Sequence, residues 1–319
     1  MKKFDIIFDG NFIYHRAFSI WSTYYRGENL SDVLAEKEGR QRLIRKAIID
    51  FCAIINKFEG AFDVNRVIFV FDERSWRYKL YPNYKYALTK VKGDHYEGFL
   101  DVLGRLQRLL ESRGFIVTHV DGAEGDDMLA TWAYVNNCQE GEGVDHTLLI
   151  TADSDIRQLV SERLSVYCPI AKKETLYKHY QAPLAIEALP EGVSVVDVNP
   201  VEVIIGKILL GDKSDNIPQL KKGFGPAAFT KMVGNYLNSG VSYEWPLAPI
   251  IIAGRIIQNF GLKEHEELIK SNATLTYLSP LSMPEEVCER ALDEVINKYD
   301  SYGYSGSFTL DGVYYGDNE

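Results

Sequence analysis

Short apolar runs recur along the first half of the chain, each bounded by turn or polar residues. The runs 4–9, 66–71, 115–120, 146–151 and 164–168 read as strands, rich in isoleucine, valine and phenylalanine. The segments between them read as helices, at 11–21, 39–58, 94–113, 124–138 and 154–161. In the second of these, Leu43, Ala47, Ile48, Cys52 and Ile55 recur at the three-to-four spacing of one helical face. Strands alternating with helices predict right-handed βαβ units, and hence a mainly parallel sheet covered on both faces.

Beyond about residue 190 the pattern changes. Segments 199–210, 226–238, 247–258, 263–272 and 284–300 have helical periodicity, and strand character returns only at 306–315. Pro190 and Gly192 mark the junction. The expected organisation is an α/β core over 1–190 and a helical domain over 191–319. Neither an internal repeat nor a low-complexity segment interrupts it.

Composition narrows the class. With 319 residues, 46% of them apolar, the chain can bury a large core. It has no apolar run of about 18 residues that would span a membrane. Met1-Lys2-Lys3 leads straight into a strand without a secretory signal. Cys52, Cys138, Cys168 and Cys288 show no paired spacing, which predicts reduced thiols and a cytoplasmic protein rather than a disulfide or zinc framework. The net charge of −10 argues at first against a nucleic-acid partner.

The distribution of that charge reverses the argument. Nine acids fall at the ends of hydrophobic runs: Asp9, Asp72, Glu124, Asp126, Asp127, Asp153, Asp155, Asp212 and Asp215. Setting these aside leaves 36 acidic against 35 basic residues, a nearly neutral remainder. In a parallel sheet, residues just past the strands' carboxyl ends converge on one crevice. So many carboxylates there repel one another unless hard divalent cations neutralise them. An all-oxygen site of this kind suits magnesium or manganese and the cleavage of phosphodiesters. Singly, each motif has a plainer reading as a helix cap or turn. Three acids within Glu124-Gly125-Asp126-Asp127 exceed what one helix terminus can use, and five acidic clusters in order make coincidence a poor explanation.

Two further segments bear on nucleic acid. In 74–92, Arg74, Arg77, Lys79, Lys85, Lys90 and Lys92 alternate with Trp76, Tyr78, Tyr81, Tyr84 and Tyr86. Such interleaving can follow a phosphate backbone and stack on splayed bases, although a solvated surface helix has the same composition. Lys221-Lys222-Gly223-Phe224-Gly225-Pro226 opens a helix, and its amides can hold a phosphate.

The order of these motifs resembles the flap endonuclease and 5′–3′ exonuclease family, and within it the phage ribonuclease H branch. The specific pieces are Ala123-Glu124-Gly125-Asp126-Asp127, Thr151-Ala152-Asp153-Ser154-Asp155, and Gly211-Asp212-Lys213-Ser214-Asp215-Asn216-Ile217-Pro218 leading into Gly223-Phe224-Gly225-Pro226. The resemblance runs from Asp9 to about Lys231, and Ile296-Asn297-Lys298-Tyr299-Asp300-Ser301-Tyr302 also fits the phage branch. It implies a three-layer PIN-like core with a mainly parallel sheet, and a helical domain with a helix–turn–helix-like duplex-binding element at about 212–238. By the same resemblance all nine acids line two or more Mg2+ sites, which Mn2+ can also fill, with Asp9, Asp72 and Asp153 catalytic.

Arg77, Tyr81, Tyr84 and Lys85 match an arch over about 74–95 that passes a free 5′ strand, Lys85 and Arg77 steadying charge on the scissile phosphate. Lys221, Lys222, Gly223 and Gly225 match the duplex grip, often with K+. Ala87-Leu88 and Ala227 depart from the family pattern, where Asn-Arg and lysine are usual, and remove phosphate contacts. The implied activity is two-metal cleavage of 5′ ends, flaps and RNA primers on DNA and RNA–DNA duplexes during DNA replication. A single-strand-binding protein or sliding clamp would be its replication partners. A PIN-type ribonuclease acting on single-stranded RNA, a non-catalytic structure-specific DNA binder and a small-molecule metal phosphatase remain as alternatives.

Overall fold

A computed structural model describes residues 1–24, 30–58, 60–85, 96–138, 144–170, 173–238 and 245–301. Its seven-stranded sheet is made of β1 (Lys3–Asp9), β2 (Asp63–Val70), β3 (Ile116–Thr118), β4 (His146–Ile150), β5 (Leu164–Cys168), β6 (Thr175–His179) and β7 (Ser194–Val198), in the order β3-β2-β1-β4-β5-β6-β7. Every neighbouring pair is parallel except β5 with β6. The chain leaves β1 in one direction, through β2 to β3, and returns beside β1 with β4 before continuing the other way. The reversal makes the β1–β4 boundary the topological switch point, and parallel sheets open a crevice there, outside the strands' carboxyl ends.

The period of two along β1 sorts its side chains between two cores. Phe4, Ile6 and Phe8 face a layer built by α1 (Gly10–Tyr24), α2 (Leu30–Ala35), α3 (Lys37–Lys57) and, after the short α4 (Arg77–Leu80), α5 (Tyr96–Ser112). Ile7 faces the other layer, where α6 (Gly125–Cys138) lies with Met128, Leu129 and Trp132 fully buried. The three layers and the mainly parallel sheet are those implied by the resemblance. The sheet runs past residue 190, because β7 completes its edge.

Four more helices follow: α7 (Pro200–Leu210), α8 (Pro226–Asn238), α9 (Pro249–Phe260) and α10 (Glu266–Thr276), which share a third core around Ile205, Ile252 and Ile269. The last helix, α11 (Glu285–Ser301), does not join them. Its Val287, Ala291 and Val295 return to the α6 side of the sheet. Residues 211–225 between α7 and α8 form a long connection rather than a tight turn, held by paired backbone bonds between Asp212 and Ile217. The expected strand at 306–315 and the second half of the arch segment, with Tyr86, Ala87, Leu88, Lys90 and Lys92, lie outside the described residues. Among the described residues no helix is long and apolar enough to cross a membrane.

Asp5 breaks the apolar pattern of β1 and is fully buried. Arg66 of β2 meets both its carboxylate oxygens, at 3.1 Å from Nε and 2.6 Å from a terminal nitrogen. Asn65 and Asn136 donate to the same group, and Tyr299 of α11 lies under the guanidinium at 3.6 Å. The pair therefore ties the central strands to the returning helix. Removing one partner strands a buried charge, so Asp5→Ala is expected to cost roughly 3–5 kcal/mol in urea unfolding. A loss below about 1 kcal/mol would show that Arg66 reaches water in the variant.

Candidate active site

Asp9 is the last residue of β1 and stands at the switch point. Its Oδ1 accepts the Phe12 amide at 2.9 Å, capping the start of α1, and its Oδ2 accepts the Thr151 hydroxyl from the end of β4 at 2.8 Å. Those bonds favour the ionised form, but burial and the neighbouring Asp72 charge outweigh them and push Asp9 up to about 7.

Asp72 follows β2, and its Oδ1 accepts the Gly125 amide at 2.6 Å, at the amino terminus of α6. A β-carbon at Gly125 would lie 2.8 Å from that oxygen, so only glycine lets the carboxylate sit on the helix end. The Asn11 side-chain amide donates to the other oxygen of Asp72, while its own carbonyl oxygen is buried without a hydrogen-bond partner. The Asp72 residue is open to solvent, yet desolvation by the protein crowded around its carboxylate and the Glu124 charge raise its pKa more than these donors lower it. Asp126, one residue into α6 from Gly125, is raised well above the ordinary range by burial and then by Asp153, Asp9 and Asp72. Asp153, after β4, is exposed at the mouth of the crevice and accepts the Asp155 amide at 2.8 Å. Desolvation and neighbouring carboxylates therefore hold Asp9, Asp72 and Asp126 above the ordinary carboxylate range, and Asp153 adds a further negative charge beside them.

Glu124 and Asp127 are instead held by the protein's own cations. Asp127, expected as a metal ligand, is fully buried among donors: both terminal nitrogens of Arg77 at 2.7 and 2.8 Å, Trp76 Nε1 at 3.1 Å and the Glu124 amide at 3.1 Å. The last bond ties the third residue of α6 back to the amide that precedes the helix, one half of a capping box. Glu124 accepts from Ser75, Arg77, Tyr84 and Lys85, and its pKa is lowered although burial alone would raise it.

Arg77 itself departs from the expectation of a phosphate contact. It is 2% exposed, and its Nε donates at 2.9 Å to the Leu275 carbonyl at the far end of α10. Every nitrogen is engaged, so the guanidinium is an internal strut. Tyr84 departs likewise: the ring is buried, edge-on to Tyr78 at 5.5 Å, with its hydroxyl 2.9 Å from Glu124, which leaves no face on which a base could stack. Tyr81 is half-buried and donates to the Asn216 carbonyl at 3.2 Å.

Lys85 is brought to the crevice. Its ammonium lies 2.5 Å from Glu124 Oε1, keeps 24% side-chain exposure, and lowers the pKa values of Asp72, Asp126 and Asp215. The backbone there has φ +48°, a left-handed conformation costly for lysine, and its amide donates to the Asp215 carbonyl at 3.1 Å. Asn216 donates to the Asn83 carbonyl at 3.1 Å. The 212–216 loop is thus docked onto the base of the arch segment, and the helical region completes one wall of the crevice.

A second group of acids lies beside that wall. Asp155 is raised to about 6 by burial and by Asp153, and Asp215 is raised mainly by burial. Asp212 goes the other way, to about 2, because Lys207, Ser214 and the Ser214 amide all donate to it. Lys207, which the sequence reading passed over, contacts both Asp155 and Asp212 from the last turn of α7. Lys221 and Lys222 are exposed, and Gly223 adopts φ +81°, which explains that glycine as a turn requirement. A β-carbon at Gly225 would meet nothing within 4 Å.

The donor set is all oxygen and suits a hard divalent cation. Among the described residues no three such side chains are gathered closely enough to hold one ion alone. Magnesium characteristically takes one or two carboxylates and fills its remaining positions with water and substrate phosphate, so the residues fit it. The orphaned Asn11 oxygen beside Asp72 supplies a further hard acceptor.

The repulsion has a consequence for the metal-free protein. An acid whose folded pKa is raised costs stability as pH climbs from its unfolded value, near 4, through its folded value, here about 7 for Asp9. Asp9→Asn removes that cost. Its thermal midpoint without metal, relative to the parent, is expected to be unchanged or lower near pH 4. It should become higher by pH 8, a swing of roughly 1–3 kcal/mol. A difference that does not vary with pH would show that burial and the Asp72 charge do not raise the Asp9 pKa in the folded protein.

Comparison with known proteins bears on the family and the fold. The chain is 30% identical over 176 residues to the thermostable DNA polymerase I of Thermus thermophilus, covering 54% of this chain and 18% of the relative. It is 30% identical over 177 residues to DNA polymerase I of Mycobacterium bovis, covering 56% and 17%. The chain thus spans less than a fifth of the length of these curated relatives. Among solved structures, the 5′-exonuclease of bacteriophage T5 with zinc ions superposes with a TM-score of 0.58 at 17% identity, over 92% of this chain and 98% of that one. A complex of the bacteriophage T5 flap endonuclease with DNA and metal ions gives 0.59 at 16% identity, over 93% and 99%; both likenesses concern the fold. The model of the 5′-3′ exonuclease N-terminal resolvase-like domain matches residues 5–185, more than half of the chain and six of the seven strands, and on that match the chain belongs to the 5′-3′ exonuclease family.

Proposed function

We propose that the chain is a magnesium-dependent, structure-specific 5′ nuclease that cuts phosphodiesters at 5′ ends and flaps of DNA and RNA–DNA duplexes and leaves 5′-phosphates. The observation that carries this reading is the group Asp9, Asp72 and Asp126, gathered at the switch point with raised pKa values beside the Asp153 carboxylate and facing Lys85. Unlike Glu124, Asp127 and Asp212, these make no ion pair with a protein cation among the described residues, which is a costly arrangement for a fold and a useful one for binding divalent ions. The DNA polymerase I relatives and the T5 flap endonuclease solved with DNA and metal ions support the choice of a nucleic-acid substrate.

One or two carboxylates from Asp9, Asp72, Asp126 and Asp153 would anchor one ion, and one or two from Asp155, Asp212 and Asp215 a second, water and substrate phosphate filling the other positions, with Mn2+ able to replace Mg2+. Bound there, the ions would supply Lewis acidity toward the scissile phosphate. The chain's own residues account for the rest. Thr151 and Asn11 fix the directions of the Asp9 and Asp72 carboxylates through the bonds described above. Arg77 holds Glu124 and Asp127 in place, so that α6 presents Asp126 toward the crevice. Lys85 is placed to turn its ammonium from Glu124 to a phosphate oxygen and stabilise the charge that develops there. Lys221 and Lys222, exposed before α8, would meet the duplex backbone several base pairs away, weakening with salt as phosphate contacts do. In this organisation the sheet and its helices are the nuclease core, and α7 to α10 form the duplex-binding part.

Incubation with 5′-flap, nicked and RNA-primed duplexes, with and without magnesium, tests the reading. Cleavage is expected only with the ion. Asp153→Asn should abolish cleavage while leaving metal-free thermal stability equal or higher; a variant that unfolds readily yet cuts normally when folded would contradict the role. Lys85→Ala should lower the single-turnover rate at saturating substrate at least about tenfold. If only the dissociation constant changes, Lys85 is a binding contact and not part of the chemistry.

A further inference from the structure

Lys207 occupies a place that the proposed function gives to a metal. It is borne on α7, and its ammonium lies between Asp155 of the α/β core and Asp212 of the 212–216 loop, 2.8 Å from Asp212 Oδ2 and also bonded to Asp155 Oδ1. The three side chains are partly buried, with exposures of 20% for Lys207, 20% for Asp155 and 17% for Asp212. The other oxygen of Asp212 is taken by the Ser214 amide at 2.8 Å and the Ser214 hydroxyl. One protein cation therefore bridges two carboxylates from different parts of the fold, as a divalent ion would. Among the described residues the first group of acids has no such bridge: Lys85, the cation beside it, makes its ion pair with Glu124.

We propose that Lys207 is an internal competitor for the second divalent cation: it closes that site with its own ammonium, and an ion enters only when the lysine withdraws. This rests on the metal-dependent reading of the crevice. It predicts two unequal binding events, a tighter one at Asp9, Asp72, Asp126 and Asp153, and a weaker one at Asp155, Asp212 and Asp215. An ammonium and a divalent ion cannot share the gap between two carboxylates, since like charges at such separations repel strongly away from bulk water.

The test is a titration of the full-length protein with Mn2+ alone, reading free ion by electron paramagnetic resonance and heat by calorimetry, without substrate. Lys207→Met keeps the aliphatic length and removes the charge. It is expected to tighten the second event by about tenfold or more while shifting the first less than about twofold. Lys213→Met, an exposed lysine of the same loop, controls for a general loss of positive charge and should shift the second event little. Lys207→Arg, which retains a cation, should leave it weak. Thermal unfolding of each variant verifies that it is folded, and if Lys207→Met does not fold, Lys207→Gln takes its place. A second event that is unchanged or weaker in the folded neutral variant, or equally tightened by Lys213→Met, overturns the proposal while leaving the metal-dependent reading intact. Absence of Mn2+ binding in every form overturns that reading, and this proposal with it.

Discussion

Repulsion between carboxylates is the constraint on which the rest of this structure depends. The sheet reverses direction between β1 and β4, and the acids that follow those strands are directed into one crevice with Asp72 and Asp126. Left alone, such a group retains protons that isolated carboxyls would lose: burial, and after it the Asp72 charge, push Asp9 up to about 7. The fold answers this charge in two ways. It buries arginine and lysine against some acids, and among the described residues it leaves others without an ion pair. Glu124, Asp127 and Asp212 belong to the first kind, and Asp9, Asp72 and Asp126 to the second. This division separates acids that organise the protein from acids available to bind a divalent ion.

The neighbouring structure serves that division. Gly125 has no side chain because the Asp72 carboxylate rests on the end of α6. Arg77 links the first turn of α6 to the Leu275 carbonyl, so the α/β core and the helical region share one buried ion cluster. Asn272 donates to the Ile208 and Pro218 carbonyls, bracing the far end of the loop that carries Asp212 and Asp215. The backbone strain at Lys85 is borne beside that loop, through the bond from its amide to the Asp215 carbonyl. The two parts of the chain therefore meet at the site, and neither forms it alone.

The legible features were those with a local signature. Apolar runs that stop at an acid located the ends of β1, β2 and β4, and the three-to-four spacing located α3 and α7 to within a few residues. The strands β6 and β7 were missed: β7 is an exposed edge with Val195 and Val196 open to solvent, so it carries no buried alternation to detect. The basic–aromatic segment was misread in part for a different reason. Nothing near Arg77 or Tyr84 in sequence reveals their burial, since their partners lie at Glu124, Asp127 and Leu275. Lys207 had a sufficient local explanation, a cation in the last turn of a helix, and only the tertiary contact with Asp155 shows otherwise. Charge pairing over long sequence separation is the information a single sequence hides.

The central claim is that the acids at the switch point are short of positive charge because they receive a divalent ion. Anomalous diffraction from crystals soaked in Mn2+ tests it most directly. The account predicts a peak within coordination distance of at least one oxygen each from two of Asp9, Asp72, Asp126 and Asp153, absent from crystals soaked in Na+ alone. A crevice without such a peak, at Mn2+ concentrations where the protein cleaves a 5′ flap, would contradict it.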